Sequence, residues 1–313
     1  MWRFILARLG YLVGIMFAVS VLVFVLGAML PDDAAQMKLD FFANDENLAI
    51  LREQMGLDRP LWLRYVTWLG GALHGDMGLS LSFNSEITPL VLHRFSQSAL
   101  LACLALIVSV PLSLGMGLLS GLMRNRLPDH AFTVIGLFGI SVPEFVLGVL
   151  LIYLFSDTLG WFPAASITSG SPLADPKVLF LPVLTLTMLL LAQVGRLTRA
   201  GVIRTLRQDF VRTARLKGMP GRQVAMRHVF PNSISPAISA IGLNFCWMLG
   251  SLAVVETMFS FPGLGDLIVF AVRNRDIPLL QACVLVIALA VGVVNLIADL
   301  LIIRLDPRLA KEF

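Results

Sequence analysis

Residues 208–232 read QDFVRTARLKGMPGRQVAMRHVFPN, and they lie between two strongly apolar runs. Residues 208–217 suit a helix with Phe210, Ala214 and Lys217 on one face. Gly218 fits a left-handed C-terminal cap, and Pro220 stops the helix from continuing. A second short helix is expected from about Arg222 to Val229, ending before Pro231. The wider loop, residues 196–235, carries Arg196, Arg199, Arg204, Arg207, Arg212, Arg215, Lys217, Arg222 and Arg227 against Asp209 alone. A basic loop beside a membrane sets topology or touches anionic lipid. Those tasks need charge, but not a small residue, a glycine and a proline in this order. A compact helix–turn–helix with a small apolar face suits docking into a cleft on another protein. Both ends of the loop are tied to the bilayer, which makes nucleic acid a poor partner for these arginines.

The flanking runs are two of six. Of the 313 residues 57% are hydrophobic and only 14% charged, and the mean hydropathy is +0.84. Soluble domains carry roughly 25% charged residues, so a soluble enzyme is excluded, as is a disordered chain. A helix needs about 20 mainly apolar residues to span a bilayer. The runs Leu9–Leu30, Ser98–Met123, Ala131–Phe155, Val178–Val194, Pro236–Val255 and Leu279–Ile303 qualify. Unpaired backbone groups are too costly in lipid, and the period-2 alternation of a barrel is absent, so the runs are helices. The expected fold class is an all-α polytopic membrane protein with six transmembrane helices in one domain, residues 1–313. Arg3 and Arg8 precede the first run, whose uncharged stretch Leu12–Leu30 exceeds the roughly 7–15 residues of a signal peptide. With no small-x-small site at Met29-Leu30-Pro31, the run is expected to be a retained anchor.

Charge placement gives the orientation. The amino terminus carries +2, and the loop with Arg124, Arg126 and Asp129 carries +1. The 196–227 segment carries +8. The tail with Arg304, Arg308, Lys311, Asp306 and Glu312 carries +1. These regions total +12, so the remainder of a chain with net charge +4 holds −8. All positive regions fall on one side when six helices are threaded alternately, which predicts both termini in the cytoplasm.

On the outer side, residues 31–97 form a polar segment with nine acids and five bases. Within it, Asn47–Met55 and Leu61–Leu73 read as short helices broken at Gly56-Leu57-Asp58-Arg59-Pro60. Trp62, Tyr65 and Trp68 share a face of the second, which suits an interfacial aromatic belt or a small cap that touches a soluble partner. Cys103, Cys246 and Cys283 lie inside predicted helices and read as apolar fillers rather than a disulfide framework. His74, His93, His130 and His228 lack ligand spacing, so no metal site is expected.

The 208–232 segment resembles the cytoplasmic loop of ABC importer inner-membrane permeases, described by Glu-Ala-Ala, three residues, Gly, nine residues, then Ile-x-Leu-Pro. Aligned on Gly218, Arg212-Thr213-Ala214 falls on the first triplet and His228-Val229-Phe230-Pro231 on the last. Ala214, Gly218 and Pro231 match, while Arg212, Thr213 and Phe230 depart from the pattern. The run Val211-Arg212-Thr213-Ala214-Arg215-Leu216-Lys217-Gly218 looks like the dipeptide, oligopeptide and nickel branch. Further stretches look like that branch: the start through Leu9, Gly56–Leu61, Gly75–Ser80, Ser141–Phe145, Val255–Gly265, Asn274–Pro278, and Asp299-Leu300 followed by Leu305–Arg308. They point to the first permease subunit, which has the longer outer loop.

The resemblance implies an ABC type I importer permease fold in a bacterial inner membrane. It implies a second homologous permease subunit forming a heterodimer, two cytoplasmic ABC ATPase subunits and an external substrate-binding protein. The chain has no Gly-x-x-x-x-Gly-Lys-Ser/Thr motif, so ATP and Mg would be bound by the partner ATPases and the chain is expected not to be an enzyme. Residues 208–230 would transmit ATPase closure to the membrane helices. Ala214 and Gly218 would make close-packing contacts, with Arg212, Arg215 and Lys217 as polar ones, and Thr213 and Pro231 belong to the same coupling loop. Peptides lead as cargo, with nickel or another small solute as the alternative.

Intramembrane acids are expensive and invite functional readings. Glu144, directly after Pro143, and Glu256, before the bend at Ser260-Phe261-Pro262-Gly263, are candidates for the translocation path. Asp299 reads as an interhelical hydrogen bond or salt bridge. An ion-coupled secondary transporter would call for paired broken helices in inverted repeats, and none are found. A membrane enzyme would need a nucleophile–base set or His-Glu-x-x-His ligands, also missing from the sequence.

Overall fold

The computed structural model describes residues 2–29, 58–167 and 172–305. The expected helix Asn47–Met55 and the tail from Asp306 lie outside the described residues. The helices in chain order are α1 (Trp2–Ala28), α2 (Leu61–Leu73), α3 (Ile87–Leu122), α4 (Leu127–Ser141), α5 (Glu144–Ile152), α6 (Lys177–Thr205), α7 (Asp209–Leu216), α8 (Gly221–Val224), α9 (Phe230–Ser233), α10 (Ser235–Met258), α11 (Leu264–Arg273) and α12 (Ile277–Leu305). Among the described residues four helices are long and apolar enough to cross a bilayer, and six spans result if two bent pairs each count as one. The expected third span, Ala131–Phe155, is one of those pairs: α4 and α5 meet at 112° across Val142 and Pro143. Pro143 has no N–H for the carbonyl four residues earlier, and its ring disfavours helical geometry before it. α5 then runs into a single π-turn at Tyr153–Thr158.

The chain divides into two compact units, one of Met1–Ser98 with Pro262–Val293 and the other of Ala99–Phe261 with Val294–Phe313. In the first, Ile87, Val91, Leu264, Leu267, Ala271, Leu279, Ala282 and Cys283 form the core. Asp276, fully buried, ties this unit together: Ser80 Oγ donates to Oδ2 at 2.5 Å and the Ser82 amide at 2.9 Å. The aromatic face of α2 is not a free belt along its whole length. Tyr65 and Trp68 pack on Phe24 of α1 at 5.3 and 5.6 Å, and the Tyr65 hydroxyl meets Ser20 at 2.8 Å, while Trp62 stays exposed. α11 was not anticipated from the sequence: it is a ten-residue amphipathic helix, too short for the apolar-run criterion.

The second unit is built on α6, the most buried of the long helices. Its core includes Leu101, Leu147, Leu181, Leu186, Leu190, Val255, Phe259 and Phe261. α3 approaches α6 through Gly117 and Gly121, a small-xxx-small pair. A methyl group at Gly117 would stand 2.6 Å from the Gly195 carbonyl, and one at Gly121 2.6 Å from Val202. Only glycine permits backbones to pack so closely.

Candidate functional site

Two features of the second unit carry chemistry: the helix–turn–helix that follows α6, and a cavity at the α4–α5 break. α7 ends in a Schellman cap. Gly218 has φ +78°, its amide donates to Arg215 at 3.0 Å, and the Met219 amide reaches Ala214 at 3.3 Å. These bonds satisfy carbonyls that the helix end leaves open, with the left-handed residue at the position where glycine is least strained. Pro220 then caps the next turn.

The unit has its own small core, in which Val211, Ala214, Val224 and Val229 pack with Leu118 and Val202. The inward face of α7 is therefore Val211 and Ala214; of Phe210, Ala214 and Lys217, expected to share a face, Ala214 alone is buried. Phe210 and Lys217 are exposed, because burying Val211 turns them outward. The close packing of Ala214 is internal to this chain. Arg212, Thr213, Arg215, Lys217 and Gly218 all lie on the surface. Among them stands Phe210, together with Leu216 (80% exposed) and Met226, two large apolar groups that sequence reasoning passed over as docking residues. Pro231 does not end the second helix. It sits in the first turn of α9, where a missing N–H costs nothing, and the chain stays helical from Gly221 to Ser233 through a π-turn at Ala225–Val229.

The unit is clamped to its supporting helices. A Cβ at Gly201 of α6 would collide with the Ser233 carbonyl of α9. Near the start of α4, Asp129, only 2% exposed, accepts four hydrogen bonds. Arg199 Nε donates to Oδ1 at 2.6 Å and Nη2 to Oδ2 at 2.9 Å, in a bidentate pair. Ser120 Oγ donates at 2.5 Å and the Asn125 amide at 2.8 Å. One carboxylate thus joins the end of α3, the start of α4 and the middle of α6. Glycine spacing at 117 and 121 was a legible signal for this packing; the pairing of Asp129 with Arg199, seventy residues apart, was not.

The cavity has a volume of about 460 Å³ and is lined by residues of α4, α5, α6 and α10. Among the described residues that line it, Glu144, half-buried, is the one charged residue; Gln193, Asn244 and Ser251 are uncharged polar ones, and Phe145 and Trp247 are aromatic. Glu256, the other expected path acid, is fully buried and does not line it. Its neighbours Val255 and Phe259 belong to the packed core, and its main-chain oxygen accepts from Phe261 at 2.8 Å. Asp299 is half-buried. Cys103 is exposed and Cys283 buried, and the side chain of Cys246 lies outside the described atoms. Among the described residues no group of three His, Cys, Asp or Glu side chains is arranged to hold a metal ion.

Residues 113–311 match the family described as the binding-protein-dependent transport system inner membrane component, and residues 1–102 match the N-terminal part of such components. The chain belongs to this family. It is an ABC importer inner-membrane permease, and its likeness to known permeases runs end to end. It is 35% identical over 307 residues to the glutathione transport system permease protein GsiC of Escherichia coli (strain K12), covering 98% of each chain. It is 35% identical over 316 residues, 99% of each chain, to BOV_A0351 of Brucella ovis, a protein named provisionally as a peptide permease. The crystal structure of an amino acid ABC transporter with histidines superposes with a TM-score of 0.50 at 21% identity, over 71% of this chain and 94% of that one. That likeness supports the type I permease fold; the family match and the apolar helices make the chain a multi-pass inner-membrane protein.

Proposed function

We propose that this permease passes peptides across the inner membrane and is driven by ATPases that dock on residues 208–230. The observation that carries the reading is the outward face of α7. Arg212, Arg215 and Lys217 surround exposed Phe210 and Leu216 on a unit too tightly clamped to deform. Charged groups around an apolar anchor suit a protein–protein interface. The Gly117, Gly121 and Gly201 approaches and the Asp129–Arg199 pair make that unit continuous with α3, α4 and α6. A force on α7 then moves those helices as a body instead of being lost in a flexible loop. In this reading both termini and the loop are cytoplasmic, ATP and Mg belong to a pair of ATPase subunits, and an external binding protein delivers the cargo. A second, homologous permease completes the path, for which six helices are too few. Peptide cargo is supported by the names of the full-length relatives.

The test uses the assembled importer in vesicles, comparing Gly218→Asp with the unsubstituted chain. The expected result is an intact complex in which loaded binding protein still stimulates ATP hydrolysis but uptake per ATP falls at least about tenfold. Unchanged uptake per ATP would show that the loop does not couple. Absence of ATP-dependent uptake of any dipeptide or tripeptide by the unsubstituted importer would remove the peptide part.

A further inference from the structure

We propose that the cavity at the Pro143 break is a subsite for a primary ammonium group, the free amino terminus of a transported peptide. This rests on the peptide-importer reading above and adds to it which end of the cargo the permease reads.

Among the described residues the lining carries one charge, and it is negative. Glu144 opens α5 immediately after Pro143, and among the described residues no hydrogen bond or ion pair reaches its carboxylate. Asn244 Nδ2 donates to the Ala240 carbonyl at 2.7 Å, one turn back on α10. That bond orients the side-chain amide, so what Asn244 offers beyond its own helix is mainly its carbonyl oxygen. Gln193 and Ser251 add two groups that can accept as well as donate. Pro143 contributes in a second way: it supplies no N–H for the carbonyl of Gly139, four residues earlier and part of the same lining. Trp247 is 79% exposed and offers an aromatic face, which attracts cations through its quadrupole. A carboxylate, an amide oxygen, a hydroxyl and an indole face together suit a small, donor-rich cation. Among the described residues the lining contains no Lys, Arg or His, so a peptide's carboxylate finds no partner of opposite charge there. The volume falls in the range of about 300–1,000 Å³ typical of small-molecule sites.

The experiment uses the assembled importer carrying Ser251→Cys, with Cys103 and Cys246 replaced by serine. The rate of maleimide alkylation at residue 251 is followed by mass on this chain. The probes are Ala-Ala and N-acetyl-Ala-Ala, matched in concentration. The expected result is that Ala-Ala slows alkylation about tenfold and the acetylated peptide does not. Adding Glu144→Gln abolishes the difference, and Glu144→Asp retains part of it. Equal protection by both peptides, protection by neither, or protection that survives Glu144→Gln each overturns the proposal. Uptake of Ala-Ala by the unsubstituted importer is measured in parallel. If it is absent, the peptide reading fails by itself; if it is present without selective protection, only the subsite fails.

Discussion

Helices α4 and α5 each begin with an acid in the first turn, and the molecule treats these two acids in opposite ways. At the start of α4, Asp129 is sealed from solvent, and both its oxygens are used by Arg199, Ser120 and Asn125. At the start of α5, fifteen residues later, Glu144 borders open space with side-chain lone pairs to offer. An acid near a helix N-terminus is favoured by the helix dipole in both places, so local preference does not separate them. What separates them is the opposing helix. α6 presents Arg199 to Asp129, and near Glu144 it presents the uncharged Gln193. A buried charge must be paired to persist, and a pair with good geometry becomes a rigid joint. A charge left beside a cavity is free to meet a ligand.

Removing the rigid joint should have the largest effect on folding. Asp129→Ala leaves Arg199 without its partner and is expected to destabilise the permease by about 3–5 kcal/mol. Thermal unfolding in detergent would read this as a clear fall in Tm. Asp129→Ala with Arg199→Met should recover part of the loss, and identical Tm values for the single and double variants would mean the pair is not coupled. Next comes Gly121→Val, which places new atoms against Val202 and is expected to cost about 1–3 kcal/mol through overpacking. A wild-type Tm there would show that α3 and α6 pack less closely than described.

Glu144→Gln sharpens the contrast from the other side. Since no partner is lost, stability should change by less than about 0.5 kcal/mol while discrimination between free and blocked peptides disappears. A Tm loss as large as that of Asp129→Ala would make Glu144 a structural acid and erase the difference. The smallest effect is expected at Asp266 in α11. Burial holds its pKa above the ordinary value near 3.8, with Arg94 and Arg273 pulling it down. An acid with a raised folded pKa contributes stability that is fully present below about 3.8 and is lost as pH rises through the higher folded value. Asp266→Asn should therefore flatten a shallow decline in Tm across that window. A decline of the same slope in the variant would assign it to other groups.

Much of the helix–turn–helix after α6 was legible before any coordinates. Gly218 followed by Pro220 dictates a left-handed cap and a turn, because few other residues adopt that backbone without strain. Which face of α7 points inward was not legible, because Phe210 is larger than Val211 yet stands outside. Size and hydropathy describe a residue alone, whereas burial depends on what α3 and α6 present to it. The cavity was half legible. Pro143 announces a break and Glu144 a charge that needs a reason, but Asn244, Trp247 and Ser251 are ordinary members of an apolar run until the fold brings them opposite. Glu256 illustrates the reverse. In sequence it resembles Glu144, an acid beside a bend, and only packing reveals that it is enclosed.

By itself the sequence determined the solvent, the number of apolar runs, where along the chain the positive charge gathers and the turn that ends α7. Each of those follows from the length of an apolar run, the sum of nearby charges or the allowed φ of one residue, all local quantities. Tertiary structure alone decided that Asp129 meets Arg199, that the break at Pro143 opens to 112°, and that Glu144 faces a cavity while Glu256 does not. Those outcomes depend on which distant helix lies opposite. An ion pair or a cavity is a property of two or more surfaces in register, and no single stretch of chain contains both.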